Sequence, residues 1–191
     1  MISRYVSNTE ILRLREKIGD GWLPLWISLE TGLRVGDVVK IRGEDITSEG
    51  LKFVAQKTGK AGLAQISANL RNAMLDRLHG SKEWLFPGGR DSRKHMTRQA
   101  VWKRMKAAAR RAGLDCAGVS PHSMRKAFAV GVYKAHGLAA AQKGLQHEDA
   151  EVTERYVLAD FLRVPYAPLL RRDIPILAHF LQQFLQENSK K

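Results

Sequence analysis

The sequence predicts a mostly helical α+β domain with one small antiparallel β-sheet. Three features predict it. Helical hydrophobic spacing bounded by cap signals runs up to Ile41, two-residue alternation replaces it between Leu51 and Ser67, and helical spacing returns from Asn69 onward. A length of 191 residues suits one compact domain, or at most two small ones. An apolar share of 44% with 27% charged residues excludes wholesale disorder. No run approaches the ~18 consecutive apolar residues of a membrane span, and Met1–Tyr5 does not resemble a signal peptide. The single cysteine, Cys116, excludes an internal disulfide and a cysteine-rich zinc site.

Ser7-Asn8-Thr9-Glu10 fits a capping box, and apolar Ile11, Leu12 and Leu14 then share one helical face with Ile18 before the stop at Gly19. Trp22 to Glu30 is apolar almost all round, as in a buried helix. Thr31-Gly32-Leu33-Arg34 reads as a turn into a short helix, Val35 to Ile41. Leu51, Phe53 and Ala55 alternate with polar neighbours, as does Leu63 to Ser67. With Lys57–Gly62 between them this is a hairpin, preceded by a third short strand near Asp45 to Thr47. Thr97 to Ala112 reads as a helix with Thr97 as N-cap and Gly113 as its stop. Pro121 sits where a first helical turn tolerates proline. After Leu158, Pro165 and Pro168 mark an arm. The stripe Leu177, Phe180, Leu181, Phe184 and Leu185 then marks a final helix, which docks on its own domain or on a neighbouring molecule.

The formal charge of +13 is concentrated. Eleven cations lie between Arg90 and Lys126, against Asp91 and Asp115 alone. Arg93, Lys94 and Arg98 precede or open the Thr97–Ala112 helix, Lys103, Lys106 and Arg110 line one of its faces, and Lys126 follows further on. Such a block can be an ordinary solvated surface. So dense a one in a globular chain points instead to a phosphate-tracking face that binds a polyanion by counterion release.

No cofactor is expected. Lys57–Gly62 does not match a P-loop or a dinucleotide fingerprint. Histidines at 79, 95, 122, 136, 147 and 179 are scattered with no i,i+4 pair, so no metal site is expected either. Pro121-His122-Ser123-Met124-Arg125 places His122 and Arg125 on one helical face near an N-terminus, which favours anions. Taken singly, each such residue also has an ordinary role: His147 as a helix cap, Lys57 as a turn residue, Arg34 paired with Asp37, Tyr156 as a half-buried amphipathic side chain.

Taken together, Thr31-Gly32-Leu33-Arg34, Lys57-Thr58-Gly59-Lys60 in a hairpin, His122-x-x-Arg125, and His147 followed nine residues later by Tyr156 resemble the tyrosine recombinases, the phage-integrase family. The resemblance covers roughly residues 8 to 160, the family's catalytic domain. Three positions depart from its pattern: Asp37 where glutamate is usual, Lys126 where a second histidine is common, and Gln146 where glycine is usual.

The resemblance implies the catalytic-domain fold of DNA breaking-rejoining enzymes over residues 1–160, with 161–191 as a C-terminal arm and helix that can dock on a neighbouring protomer. It implies a site-specific DNA recombinase or integrase, encoded by a phage or mobile element. The enzyme would act in the bacterial cytoplasm as a homo-oligomer, a tetramer on DNA, without metal or ATP. Tyr156 would be the nucleophile that forms a 3′-phosphotyrosine. Arg34 and Arg125 would grip the phosphate, with a further hydrogen bond from His147. Lys57 would protonate the departing 5′-oxygen, and His122 would assist proton transfer at the tyrosine. The family's N-terminal core-binding domain has no counterpart in the sequence, so the chain is expected to be a catalytic domain acting alone or a fragment of a longer integrase. Two other readings stay open, a type IB topoisomerase-like enzyme and a catalytically silent DNA-binding accessory factor.

Overall fold

The computed structural model describes residues 3–78 and 83–145. It contains six α-helices, α1 (Asn8–Ile18), α2 (Trp22–Thr31), α3 (Val35–Val38), α4 (Ala68–Leu78), α5 (Arg98–Arg111) and α6 (His122–Leu145), and two strands, β1 (Leu51–Val54) and β2 (Ala61–Ala64). This is the expected α+β architecture.

The helix ends follow the chemistry of their caps. Ser7 Oγ accepts the Glu10 N–H at 3.3 Å while the Glu10 carboxylate accepts the Ser7 N–H at 2.9 Å, closing the capping box that starts α1. Thr97 Oγ1 accepts the Ala100 N–H at 3.1 Å and starts α5. The short helix after Arg34 ends earlier than expected. Regular α-helix stops at Val38, and single turn bonds from Lys40 to Asp37 O and from Ile41 to Val38 O carry the chain on.

The hairpin pairs Leu51 with Ala64, Lys52 with Leu63, Phe53 with Gly62 and Val54 with Ala61. The second strand therefore begins two residues before the expected Leu63. The reason is the turn: Ala55 N–H bonds Lys60 O at 2.9 Å, and Gly59, at φ +69°, donates to Ala55 O at 2.7 Å, closing the loop before Ala61. In place of the expected third strand, Ile46 makes a single antiparallel bridge to Leu51.

The core runs through these elements as one cluster. Leu14, Leu25, Ile27, Leu51, Leu70, Met74, Met105 and Met124 are all fully buried, and each such side chain is worth about 1.5–3 kcal/mol relative to exposure. Helix α1 packs on α5, and α2 on α6. The α2–α6 packing sets the turn after α2 against the start of α6, and so brings together two segments that are some ninety residues apart in the chain, as the bond from Arg125 to Gly32 O records. No helix among the described residues is long and apolar enough to cross a membrane.

Candidate active site

The turn carrying Arg34 is built by buried hydroxyls. Ser28 Oγ donates to Leu33 O at 2.7 Å, and Thr31 Oγ1 donates to Ile27 O at 2.6 Å and accepts the Leu33 N–H at 3.2 Å. Gly32, at φ +70°, ends α2 and donates to Ser28 O at 3.0 Å. Arg34 then stands, half-buried, at the N-cap of α3.

Helix α6 brings the second arginine to the same place. Arg125 is 3% exposed, its Nη1 donates to Gly32 O, and its Nη2 donates to Leu145 O at 2.6 Å. A straight helix would separate residues 125 and 145 by about 30 Å. Gly137 (φ 80°, ψ −176°) breaks α6, so that the chain turns back and the two meet. The guanidinium thus joins the end of α2 to both limbs of α6.

Arg34, His122 and Arg125 form one electrostatic cluster. Burial first, then the charges of Arg125, Lys126 and Arg34, push His122 down to about 4. Burial and Arg34 lower Arg125 to about 10, against a pull upward from Asp37, so it stays protonated at neutral pH. The site therefore holds a neutral imidazole beside two cations, a pocket suited to an anion.

Asp37 ties this cluster to the hairpin. It is 6% exposed, and its Oδ1 accepts the Gln56 N–H at 2.9 Å, fixing the residue before Lys57. Lys57 itself is exposed at the turn. Arg98 lies nearby: a Cβ on Gly36 would meet Arg98 Cδ at 3.2 Å and Gln56 Oε1 at 3.3 Å. His147 and Tyr156, and the arm expected over 161–191, lie outside the described residues.

The expected DNA-facing cations are placed unequally. Arg98, Lys103 and Arg110 are exposed on α5, and Trp102 is exposed beside them. Arg93 and Lys94 are exposed on a small hairpin closed by Gly88 N–H to Lys94 O (2.7 Å) and Met96 N–H to Phe86 O (2.7 Å). Trp84 braces that hairpin by donating Nε1 to Arg93 O at 3.0 Å, with the Arg42 guanidinium 4.4 Å above its ring. Two expectations meet a different geometry. Lys106 folds back and donates Nζ to Cys116 O at 2.5 Å. Lys126 is only 7% exposed, because it lies one turn from His122 on the inward side of α6. Charge alone signals a cation but not which way it faces. Asp37 was visible in the sequence as a departure from the family pattern, whereas Trp84 and Trp102 carried no signal that singled them out.

A lowered His122 has a consequence for stability. Its folded value lies below the ordinary 6.5, so the unfolded chain takes up the proton first as pH falls. Stability should be unaffected above about 6.5 and should decline between there and about 4, by at most ~1.4 kcal/mol per pH unit. Urea midpoints at pH 7 and pH 5 check this. His122→Gln should flatten the difference, and an equal difference in both proteins would show that other groups cause it.

The small antiparallel hairpin set among helices matches the fold of solved integrase and recombinase structures. The profile of the Phage integrase family matches residues 8–163, and the chain belongs to that family. It is 33% identical over 135 residues to the tyrosine recombinase XerD of Rhizobium meliloti, covering 66% of this chain and 43% of that protein. It is 31% identical over 157 residues to XerD of Yersinia pestis, covering 76% and 50% respectively. The chain thus spans about half the length of the curated relatives it matches. Among solved structures, a lambda integrase dimer bound to a core site matches with a TM-score of 0.72 at 20% identity, over 90% of this chain and 64% of that one.

Proposed function

We propose that this chain is the catalytic domain of a site-specific recombinase that cuts and rejoins double-stranded DNA through a 3′-phosphotyrosine. The observation that carries the reading is the convergence of Arg34 and Arg125 on a neutral His122, beside a hairpin that presents Lys57. A phosphodiester is already anionic, so an anionic nucleophile attacks it poorly until that charge is neutralised. Two guanidiniums supply this in a bidentate geometry and hold their protons throughout. They provide the charge that a metal ion gives in other phosphoryl-transfer sites, and rejoining needs no ATP because the phosphotyrosine keeps the backbone's transfer potential.

In the forward step the Tyr156 oxygen bonds to phosphorus as the bond from phosphorus to the 5′-oxygen breaks. The phenolic proton passes to the His122 imidazole, which is neutral at physiological pH and becomes a stronger base once the phosphate's negative charge offsets the neighbouring cations that hold it low. The leaving 5′-oxygen takes a proton from Lys57, and His147 donates a further hydrogen bond to the phosphate. Rejoining runs the same transfers in reverse. Exposed Arg93, Lys94, Arg98, Lys103 and Arg110 would track the flanking phosphates. Residues 161–191 would form the arm that links protomers of a tetramer on DNA.

A duplex nicked near the scissile phosphate, which traps the covalent intermediate, tests the proposal. Wild type should give a protein–DNA adduct and Tyr156→Phe none, both binding DNA alike, with stoichiometry on native gels reading the assembly. Binding without adducts from wild type on any substrate would overturn the enzyme reading in favour of a binding module.

A further inference from the structure

Three main-chain acceptors of the loop that leads into His122 are met from outside it, although Cys116 O also takes the Val119 N–H at 3.3 Å from within. Asp115 O receives Arg4 Nη2 at 3.0 Å, Cys116 O receives Lys106 Nζ at 2.5 Å, and Gly118 O receives the Arg4 main-chain N–H at 2.9 Å. Gly113 (φ +65°) and Gly118 (φ +70°) bracket this stretch, and inside it short turn bonds, such as Ala117 N–H to Asp115 Oδ1 (2.9 Å) and Val119 N–H to Cys116 O (3.3 Å), add to the outside anchors. One step further on, Ser3 Oγ lies 3.0 Å from Ser120 Oγ and 3.3 Å from Ser123 Oγ. Ser123, fully buried and adjacent to His122, accepts the Ser120 N–H at 3.2 Å and so caps the start of α6. Arg4 is itself held fast. The Glu10 carboxylate takes its Nη2 at 2.6 Å and its Nη1 at 3.1 Å, and the same carboxylate closes the α1 capping box.

A continuous path of bonds therefore runs from the cap of α1 through Arg4 and Ser3 to the cap of α6. We propose that Ser3 and Arg4 form a positioning strap that sets where α6 delivers His122 and Arg125 relative to Arg34. The strap acts through the 115–120 loop rather than by touching the phosphate. Its catalytic consequence rests on the recombinase reading, whereas its effect on the environment of His122 does not. It also gives Lys106 a task inside the domain, as the third anchor of that loop.

The burial of His122 makes the strap measurable. The imidazole is faced by Arg125 and Lys126 from its own helix and by Arg34 from α3, with Asp37 acting on Arg125. Loosening the loop admits water to this cluster, which weakens burial and screens the neighbouring charges. His122 should then titrate closer to its ordinary 6.5 than to about 4.

The experiment is an NMR titration of the imidazole in the full chain, assigned with His122→Gln, beside adduct formation on the nicked duplex. Arg4→Ala should raise the His122 midpoint by one pH unit or more and slow adduct formation about tenfold, with DNA affinity unchanged. Arg4→Lys, which keeps the charge but cannot reach both partners at once, should fall between. Ser3→Ala removes only the hydroxyl link, and it should shift the midpoint in the same direction even if Arg4→Ala fails to fold. Thr47→Ala, which deletes a turn hydroxyl bonded to Gly50 O at 2.8 Å, lowers stability without altering the strap and should leave His122 unmoved. A His122 midpoint unchanged in folded Ser3 and Arg4 variants, or moved equally by Thr47→Ala, would overturn the strap. A shifted midpoint with no adducts from wild type would uphold the strap and count against the recombinase reading.

Discussion

Arg125→Ala should abolish measurable strand cleavage, with a fall of at least about 10²–10³-fold, the usual cost of deleting one preorganised donor to a developing charge. It should also lower stability, because this side chain has a second task. Its Nη1 and Nη2 satisfy Gly32 O and Leu145 O in a buried setting, and alanine leaves both carbonyls without these donors. Each unsatisfied buried group costs about 1–3 kcal/mol. The release of a buried cation from the repulsion of Arg34 offsets part of that sum. Arg125→Lys separates the two tasks. A lysine keeps the charge but is a single point donor, so it cannot span both carbonyls or grip two phosphate oxygens in one plane. It should recover stability in part and cleavage little, with DNA binding unchanged. Single-turnover adduct formation and urea midpoints on the same three proteins check this. Cleavage by Arg125→Lys within a few-fold of wild type would show that charge alone, and not the bidentate fork, is what the site needs.

What the sequence disclosed, and what it hid, depends on the range of the interactions. Local signals were legible. Ser7 and Glu10 announce their capping box within four residues, Thr97 announces α5, and the alternation of Leu51 and Phe53 announces β1. The ordered motifs around Arg34, Lys57, His122 and Arg125 also pointed to a common site, though by resemblance rather than by periodicity. Contacts made across long separations left no such mark. The bond from Arg4 to Asp115 O spans 111 residues and that from Ser3 to Ser120 spans 117, so neither produces a repeating pattern. Charge was the most misleading guide at the level of single residues. Lys106 and Lys126 sit in the same basic block as Lys103, yet the first bonds a loop carbonyl and the second lies inside the domain. Helical spacing gave the faces of α5 but did not reveal the break at Gly137, on which the return of Leu145 to Arg125 depends.

Gly32→Ala is expected to be among the most damaging exchanges of a single small residue in the described fold. Two separate costs meet there. The backbone at φ +70° lies in the left-handed region, where any L side chain costs about 1–2 kcal/mol. A Cβ would also sit 2.5 Å from Phe128 Cδ1 and 2.6 Å from Cε1, so the ring must move. The ring has little room to do so, since a Cβ on Gly144 would already meet it at 3.0 Å. Phe128 is thus wedged between two glycines, one in the turn before Arg34 and one near the end of α6. Overpacking of this kind adds about 1–3 kcal/mol, giving roughly 2–5 kcal/mol in total. The functional loss should exceed what reduced folding explains, because a displaced Phe128 carries α6 with it, and Arg125, one turn back, donates to Gly32 O itself. A double-mutant cycle isolates the steric part. Phe128→Leu alone removes packing, but combined with Gly32→Ala it should recover 1 kcal/mol or more relative to the sum of the two single changes (about 1 kcal/mol being typical for residues in contact). Additive losses in urea midpoints would mean that the backbone conformation alone accounts for the cost. In that case Phe128 would not couple the turn before Arg34 to the helix that holds Arg125.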